Sequence, residues 1–103
     1  MSGYTLSPEA EDDVFHIWRY LWLEAGPETA NRIDLKFFKT FGELAQNPHL
    51  GHRRSDLTKV LALFYRVRPH SYMIVYRPQD PLEIVAVLHG SRDLDKALKE
   101  RVG

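Results

Sequence analysis

The stretch from Leu63 to Asp93, LFYRVRPHSYMIVYRPQDPLEIVAVLHGSRD, constrains the fold more than any other part of the chain. It holds three apolar runs rich in Val, Ile, Leu and aromatic residues. Two Pro-containing breaks, Arg68-Pro69-His70-Ser71 and Pro78-Gln79-Asp80-Pro81, separate them. Short β-branched and aromatic runs between turn residues are strands, and such brief connections join antiparallel neighbours. Strands are therefore expected at Val60 to Val67, Tyr72 to Arg77 and Glu83 to His89. Leu61, Leu63, Tyr65 and Val67 share one face of the first, with Ala62, Phe64 and Arg66 on the other. Tyr72, Ile74 and Tyr76 lie opposite Met73, Val75 and Arg77 in the second. The third is apolar on both faces, which suits a central strand.

Helix is expected upstream. Tyr4-Thr5-Leu6 is short and β-prone, an edge or first strand. Ser7-Pro8-Glu9 then opens a helix with Ser as N-cap, Pro at the first position and acids in the first turn. Ala10, Val14, Ile17, Trp18, Leu21 and Ala25 recur at helical spacing, and Trp22 widens the stripe. Gly26-Pro27 ends that helix and starts the next, from Pro27 to about Ala45, with Ala30, Ile33, Phe37, Phe41 and Leu44 on one face. A break this short makes a helical hairpin, and its stripes need the sheet as partner. Asn47-Pro48-His49-Leu50-Gly51 is a breaker cluster, followed to about Thr58 by a polar, basic loop. Asp93 is placed to cap a short C-terminal helix carrying Leu94, Ala97, Leu98 and Arg101. The expected class is α+β: an N-terminal strand, a helical hairpin, a three-stranded antiparallel meander completing a small sheet, and a short last helix.

A chain of 103 residues supports one core, so one domain over residues 1–103 is expected. No run approaches the roughly 18 apolar residues that span a bilayer, and no secretory leader is visible. Cysteine is absent, which excludes disulfides and thiolate metal sites and fits a cytoplasmic setting. Formal net charge is zero but unevenly placed. Glu9 to Asp34 holds seven acids and two bases; Arg53 to Arg77 holds six bases and one acid. That dipolar arrangement is not the mark of a general nucleic-acid binder, although a local basic surface suits an acidic partner or phosphates.

Few residues carry obvious chemistry. His49 and His52 are spaced H-x-x-H, but in a Pro/Gly loop without a third ligand, so no metal and no cofactor is expected. Arg66, His89 and Arg92 suit phosphodiester chemistry if the strands bring them together: His moves a proton and Arg stabilises extra negative charge. The competing reading makes Arg92 and Asp93 ion pairs and helix caps at the end of the sheet. Trp18 and Trp22 sit one turn apart, and a helix this size buries one fully, leaving the other for a partner. Tyr65, Tyr72 and Tyr76 share one strand face, which is either core or an aromatic groove.

The order of parts resembles a known family. Tyr4-Thr5-Leu6-Ser7-Pro8-Glu9-Ala10-Glu11-Asp12-Asp13 is similar to the opening of ParE-type toxins of the ParE/RelE toxin–antitoxin superfamily. So are Leu44-Ala45 with Pro48-x-x-Gly51, and Tyr72-Met73-Ile74-Val75-Tyr76-Arg77 followed by Ile84-Val85-Ala86-Val87-Leu88-His89-Gly90-Ser91-Arg92-Asp93. The resemblance covers about Tyr4 to Leu98. It implies a small curved sheet of the RelE/ParE kind, and a cytoplasmic toxin of a bacterial type II pair that causes growth arrest or plasmid stabilisation. It implies a ParD-like antitoxin as partner, with no membrane association and no sequence-specific DNA binding. It implies DNA gyrase as target for ParE-like members and ribosome-dependent cleavage of messenger RNA for RelE-like members. Nuclease members carry a C-terminal Tyr or His, whereas this chain has no Tyr after Tyr76 and reads as helix at its end. The expected reading is therefore a gyrase-inhibiting toxin without a catalytic centre. The alternatives are an endoribonuclease using Arg66, His89 and Arg92, or a non-toxic antitoxin-binding module. The expected antitoxin contacts are Trp22, Arg53, Arg54, Tyr65, Arg68 and Tyr72, with apolar anchors at the aromatic residues and acids meeting the arginines.

Overall fold

The computed structural model describes residues 3–54, 62–68, 71–90 and 101. Strand β1 (Tyr4–Leu6) gives way at Ser7 to helix α1 (Pro8–Ala25). The Ser7 hydroxyl accepts the Ala10 N–H at 3.1 Å, the expected N-cap, and Pro8 needs no partner in the first turn. Gly26, at φ +94°, ends α1 and begins α2 (Pro27–Gln46) in a single residue. Its N–H reaches the Trp22 carbonyl and its own carbonyl takes the Ala30 N–H, a doubled role that requires the left-handed backbone favoured by glycine.

The remaining strands are β2 (His52–Arg53), β3 (Leu63–Val67), β4 (Tyr72–Arg77) and β5 (Leu82–His89). They form one sheet in the order β1-β5-β4-β3-β2. The antiparallel meander β3-β4-β5 is as the sequence suggests. β1 closes the far side of β5 in parallel, Tyr4 opposite Leu82 and Leu6 opposite Ile84, so β5 is central. A register shift between Val75 and Tyr76 leaves Val85 as an extra residue on β5. Val85 and Ala86 consequently join the same core cluster, where strict alternation would separate them.

Both faces of the sheet are dry. On one, Val67, Tyr72, Ile74, Tyr76, Ile84 and Val87 pack with Val14, Ile33, Phe37, Phe41 and Leu44 of the hairpin. Each large side chain taken from water here contributes about 1.5–3 kcal/mol. On the other, Ala62, Phe64, Met73, Val75, Val85, Ala86 and Leu88 are also buried. Several details depart from expectation. Ala25 is exposed, because the hairpin turn lifts the end of α1 off the core. The basic segment expected to be all loop contains β2, whose pairing with Leu63 and Phe64 follows from the way its entry is anchored. β3 begins at Leu63, while Val60 and Leu61 lie outside the described residues, as do Arg92, Asp93 and most of the expected last helix.

Candidate functional site

A buried phenol sets the position of the basic segment. Tyr76 is fully buried on the helix-facing side of β4. Its hydroxyl accepts the Gly51 N–H at 2.9 Å and donates to the Pro48 carbonyl at 2.7 Å. A Cβ on Gly51 would lie 2.7 Å from that hydroxyl, so the Pro48-x-x-Gly51 spacing is the shape of a loop folded over one tyrosine. Burial pushes the Tyr76 phenol above its ordinary pKa, partly offset by the Gly51 hydrogen bond. Tyr72 shifts the same way, from burial first and then from Tyr20. Neither ring is a phenolate base at neutral pH.

The anchored loop delivers β2 to the sheet edge, and a cleft opens between that edge and α2. It encloses about 540 Å³. Lys36 and Lys39 stand on the helix wall, with Glu43 a turn further on; His52, Arg54, Arg66 and Arg68 stand on the strand wall. Phe64, Val67 and Met73 contribute buried surface, and half-buried Tyr65 lies between the walls. β2 pairs only with Leu63 and Phe64, so among the described residues the outer edge of residues 65–67 carries no strand.

A second groove lies on the other side of β4, against α1, and is lined by Asp13, His16, Ile17, Tyr20, Tyr72, Val87 and His89. The Tyr72 ring is held edge-on between Phe37 and His89, with centroids 5.3 and 5.4 Å away. Asp13 stitches the groove. It accepts the Val87 N–H of β5 at 2.9 Å and forms a two-point ion pair with Arg101, Nη2 to Oδ1 at 3.0 Å. β1 pairs only up to Ile84, so among the described residues β5 has no neighbouring strand beyond it on that side, and the Asp13 carboxylate supplies the acceptor. A third, apolar hollow between the helices and β1 is lined by Leu6, Val14, Phe15, Trp18, Phe38 and Asp34. Burial there raises the Asp34 pKa.

The sequence-derived candidates divide among these places. Arg54, Tyr65 and Arg68 come together in the basic cleft, with Arg53 exposed beside it. Tyr72 backs the second groove with only 8% of its surface exposed. Trp22 is 44% exposed but two residues beyond Tyr20, hence on nearly the opposite side of α1 from that groove. Trp18 is the better buried of the pair, its indole N–H donating to Asn31 at 2.9 Å. The phosphodiester trio is not assembled by the described residues. Arg66 pairs with Met73 and Met73 with Leu88, whereas Tyr72 pairs with His89. Arg66 and His89 therefore project from opposite faces of the sheet. The Arg66 guanidinium does approach the exit, since a Cβ on Gly90 would be 3.8 Å from its Nη1, and Arg92 lies outside the described residues. Sequence reasoning missed Lys36 and Lys39 as site residues. Their position one turn apart, either side of core Phe37, was the available signal.

Known proteins agree with this architecture. A family model described as ParE toxin of type II toxin-antitoxin system, parDE, matches residues 4–94. Toxin ParE1 of Caulobacter vibrioides is 31% identical over 91 residues, spanning 88% of this chain and 92% of that protein. A chain of the solved chromosomal ParDE TA system from P. aeruginosa superposes with a TM-score of 0.72 at 16% identity, covering 86% of this chain and 96% of that one. At that identity the structural likeness speaks for the fold, while the family match extends over nearly the whole sequence. Matched by the family model over residues 4–94 and 31% identical to a curated member over 91 residues, the chain belongs to the ParE toxin family of type II toxin–antitoxin systems.

Proposed function

We propose that this toxin acts by binding and inhibiting DNA gyrase, without a catalytic centre of its own, and that a cognate ParD-like antitoxin neutralises it. The observation that carries the non-nuclease reading is the register. Arg66 and His89, the pair that phosphodiester cleavage requires on one side of a substrate, sit on opposite sides of a fully packed sheet. Proton transfer needs the base within hydrogen-bond reach of the reacting group, and a strand cannot turn a residue through its own sheet. The lack of any tyrosine after Tyr76 supports the same reading. The antitoxin is a chain with acids for Arg53, Arg54 and Arg68 and apolar side chains for Tyr65, the groove at Tyr72 and exposed Trp22.

Purified protein in a gyrase supercoiling and DNA-cleavage assay tests the target. Loss of supercoiling with accumulation of a trapped cleavage complex is expected. Unaffected gyrase together with messages cut at translated codons, read by primer extension, would overturn the proposal in favour of the nuclease. Growth arrest on expression, relieved by the antitoxin gene, is expected as well; harmless expression would leave only an antitoxin-binding module.

A further inference from the structure

The proposed antitoxin contacts include Arg54, Tyr65 and Arg68 of the basic cleft and leave Lys36, Lys39 and Arg66, which line it too, without a role. Lys36 and Lys39 of α2 and Arg66 and Arg68 of the β3 edge line one trough, with Arg66 reaching it from the sheet face away from the helices. None of these four has a carboxylate partner among the described residues, and Glu43 is the one acid in the lining. Converging like charges cost stability unless something anionic fills the space between them. The cleft's apolar residues cannot anchor a protein segment, because Phe64, Val67 and Met73 are 3%, 1% and 7% exposed. What the interior offers a ligand is guanidinium and ammonium groups on two walls, with one half-buried phenol ring, Tyr65, between them. Guanidinium forks pair with phosphate oxygens in two-point fashion, ammonium groups meet them as point charges, and an aromatic face stacks on an unpaired base.

We infer that this cleft binds the sugar–phosphate backbone of single-stranded nucleic acid, with Lys36, Lys39, Arg66 and Arg68 on phosphates and Tyr65 against a base. The inference goes beyond the toxin reading and stands whichever target the toxin has. It requires no cleavage, since His89 is on the other face. Sequence selectivity is not expected, because phosphate contacts position a strand without reading it.

Fluorescence anisotropy with a short labelled oligothymidylate and the full chain tests it. Four phosphate contacts on a single strand give a slope of log K against log salt of about −2.8, so affinity falls ~50-fold between about 50 and 200 mM salt. The Lys36→Gln, Lys39→Gln double variant is expected to halve the slope, so that the same change in salt costs only about 7-fold. Arg19→Gln on α1, remote from the cleft, should leave the slope unchanged. If the lysine pair is needed for folding, Arg66→Gln decides by the same reading, with the slope falling by about 0.7. Absence of binding, or binding indifferent to these variants, overturns the inference. So does tighter binding of a duplex of the same sequence, which would remove the base contact at Tyr65. An oligoglutamate that competes at equal charge concentration would show instead that the cleft takes an acidic polypeptide.

Discussion

Tyr76 shows how one side chain places a surface it does not belong to. Its hydroxyl is buried, donates to Pro48 and accepts from Gly51, and so fixes the loop that leads into β2 and the arginines after it. Tyr76→Phe removes both bonds and strands a buried carbonyl, a loss of about 1–3 kcal/mol. In a domain this size that corresponds to a fall in Tm of about 5–15 °C. Gly51→Ala sets a methyl 2.7 Å from the hydroxyl, 2.9 Å from a ring carbon and 3.0 Å from the Phe64 carbonyl. It should cost about 1–3 kcal/mol as an overpacked site. Because the tightest of those clashes vanishes with the hydroxyl, the double variant is expected to cost less than the sum of the two. Thermal unfolding followed by circular dichroism on the three variants gives the comparison. A strictly additive result would mean that the loop is held by something other than the phenol.

Among the elements, β5 is the one that the others complete. β1 covers only its first three residues on one side, and Ser7 and Asp13 finish the work: Ser7 N–H bonds to the Ile84 carbonyl, its hydroxyl to the Val85 carbonyl, and Asp13 accepts from Val87. Asp13→Ala leaves the Val87 strand amide without its acceptor and removes the two-point ion pair to Arg101, and is expected to cost about 3 kcal/mol in urea denaturation. Arg101→Ala should cost less, about 2 kcal/mol, since Asp13 keeps the Val87 N–H although its carboxylate, 9% exposed, loses a counter-charge. Equal losses would make the ion pair, not the strand amide, the reason for Asp13. None of this was legible beforehand, because Asp13 in the sequence is one of several acids in a first helical turn and a half. What was legible came from periodicity: both helices, their stripe of Ala30, Ile33, Phe37, Phe41 and Leu44, the Ser7 cap and the three-strand meander follow from local spacing. β2 was not, since a two-residue strand has no period, and neither was the Val85 bulge, since both β5 faces are apolar. The candidate site was half visible for a related reason. Arg54, Tyr65 and Arg68 are near neighbours along the basic stretch, but Lys36 and Lys39 join them only once α2 is laid beside β3. Alternation along β3 and β5 said nothing about their mutual register, and the register is what divides Arg66 from His89.

At the scale of the whole molecule, zero net charge is the sum of two unlike regions. Seven acids lie between Glu9 and Asp34, all on or between the helices, whereas His52 to Arg68 supplies a basic edge. A partner therefore feels no monopole at long range, and the acidic antitoxin segment proposed above would gain speed only as it nears the sheet edge. Charges on such a rim govern the rate of encounter more than the lifetime of the complex. Reversing Arg53→Glu and Arg54→Glu is expected to lower the association rate constant about 10-fold at low salt, to flatten its salt dependence, and to change dissociation by less than about 3-fold. The two arginines should not contribute equally. Arg54 is already engaged within the chain and lines the cleft, whereas Arg53, paired with Leu63, is exposed and is not part of the cleft lining, so Arg53→Glu alone should carry the larger share. Stopped-flow mixing with the antitoxin at low and at physiological salt separates the two rates. If association is unchanged in both single variants while dissociation accelerates, the arginines are buried anchors and not a steering rim; if neither rate moves, the antitoxin reaches the toxin by a surface other than this edge.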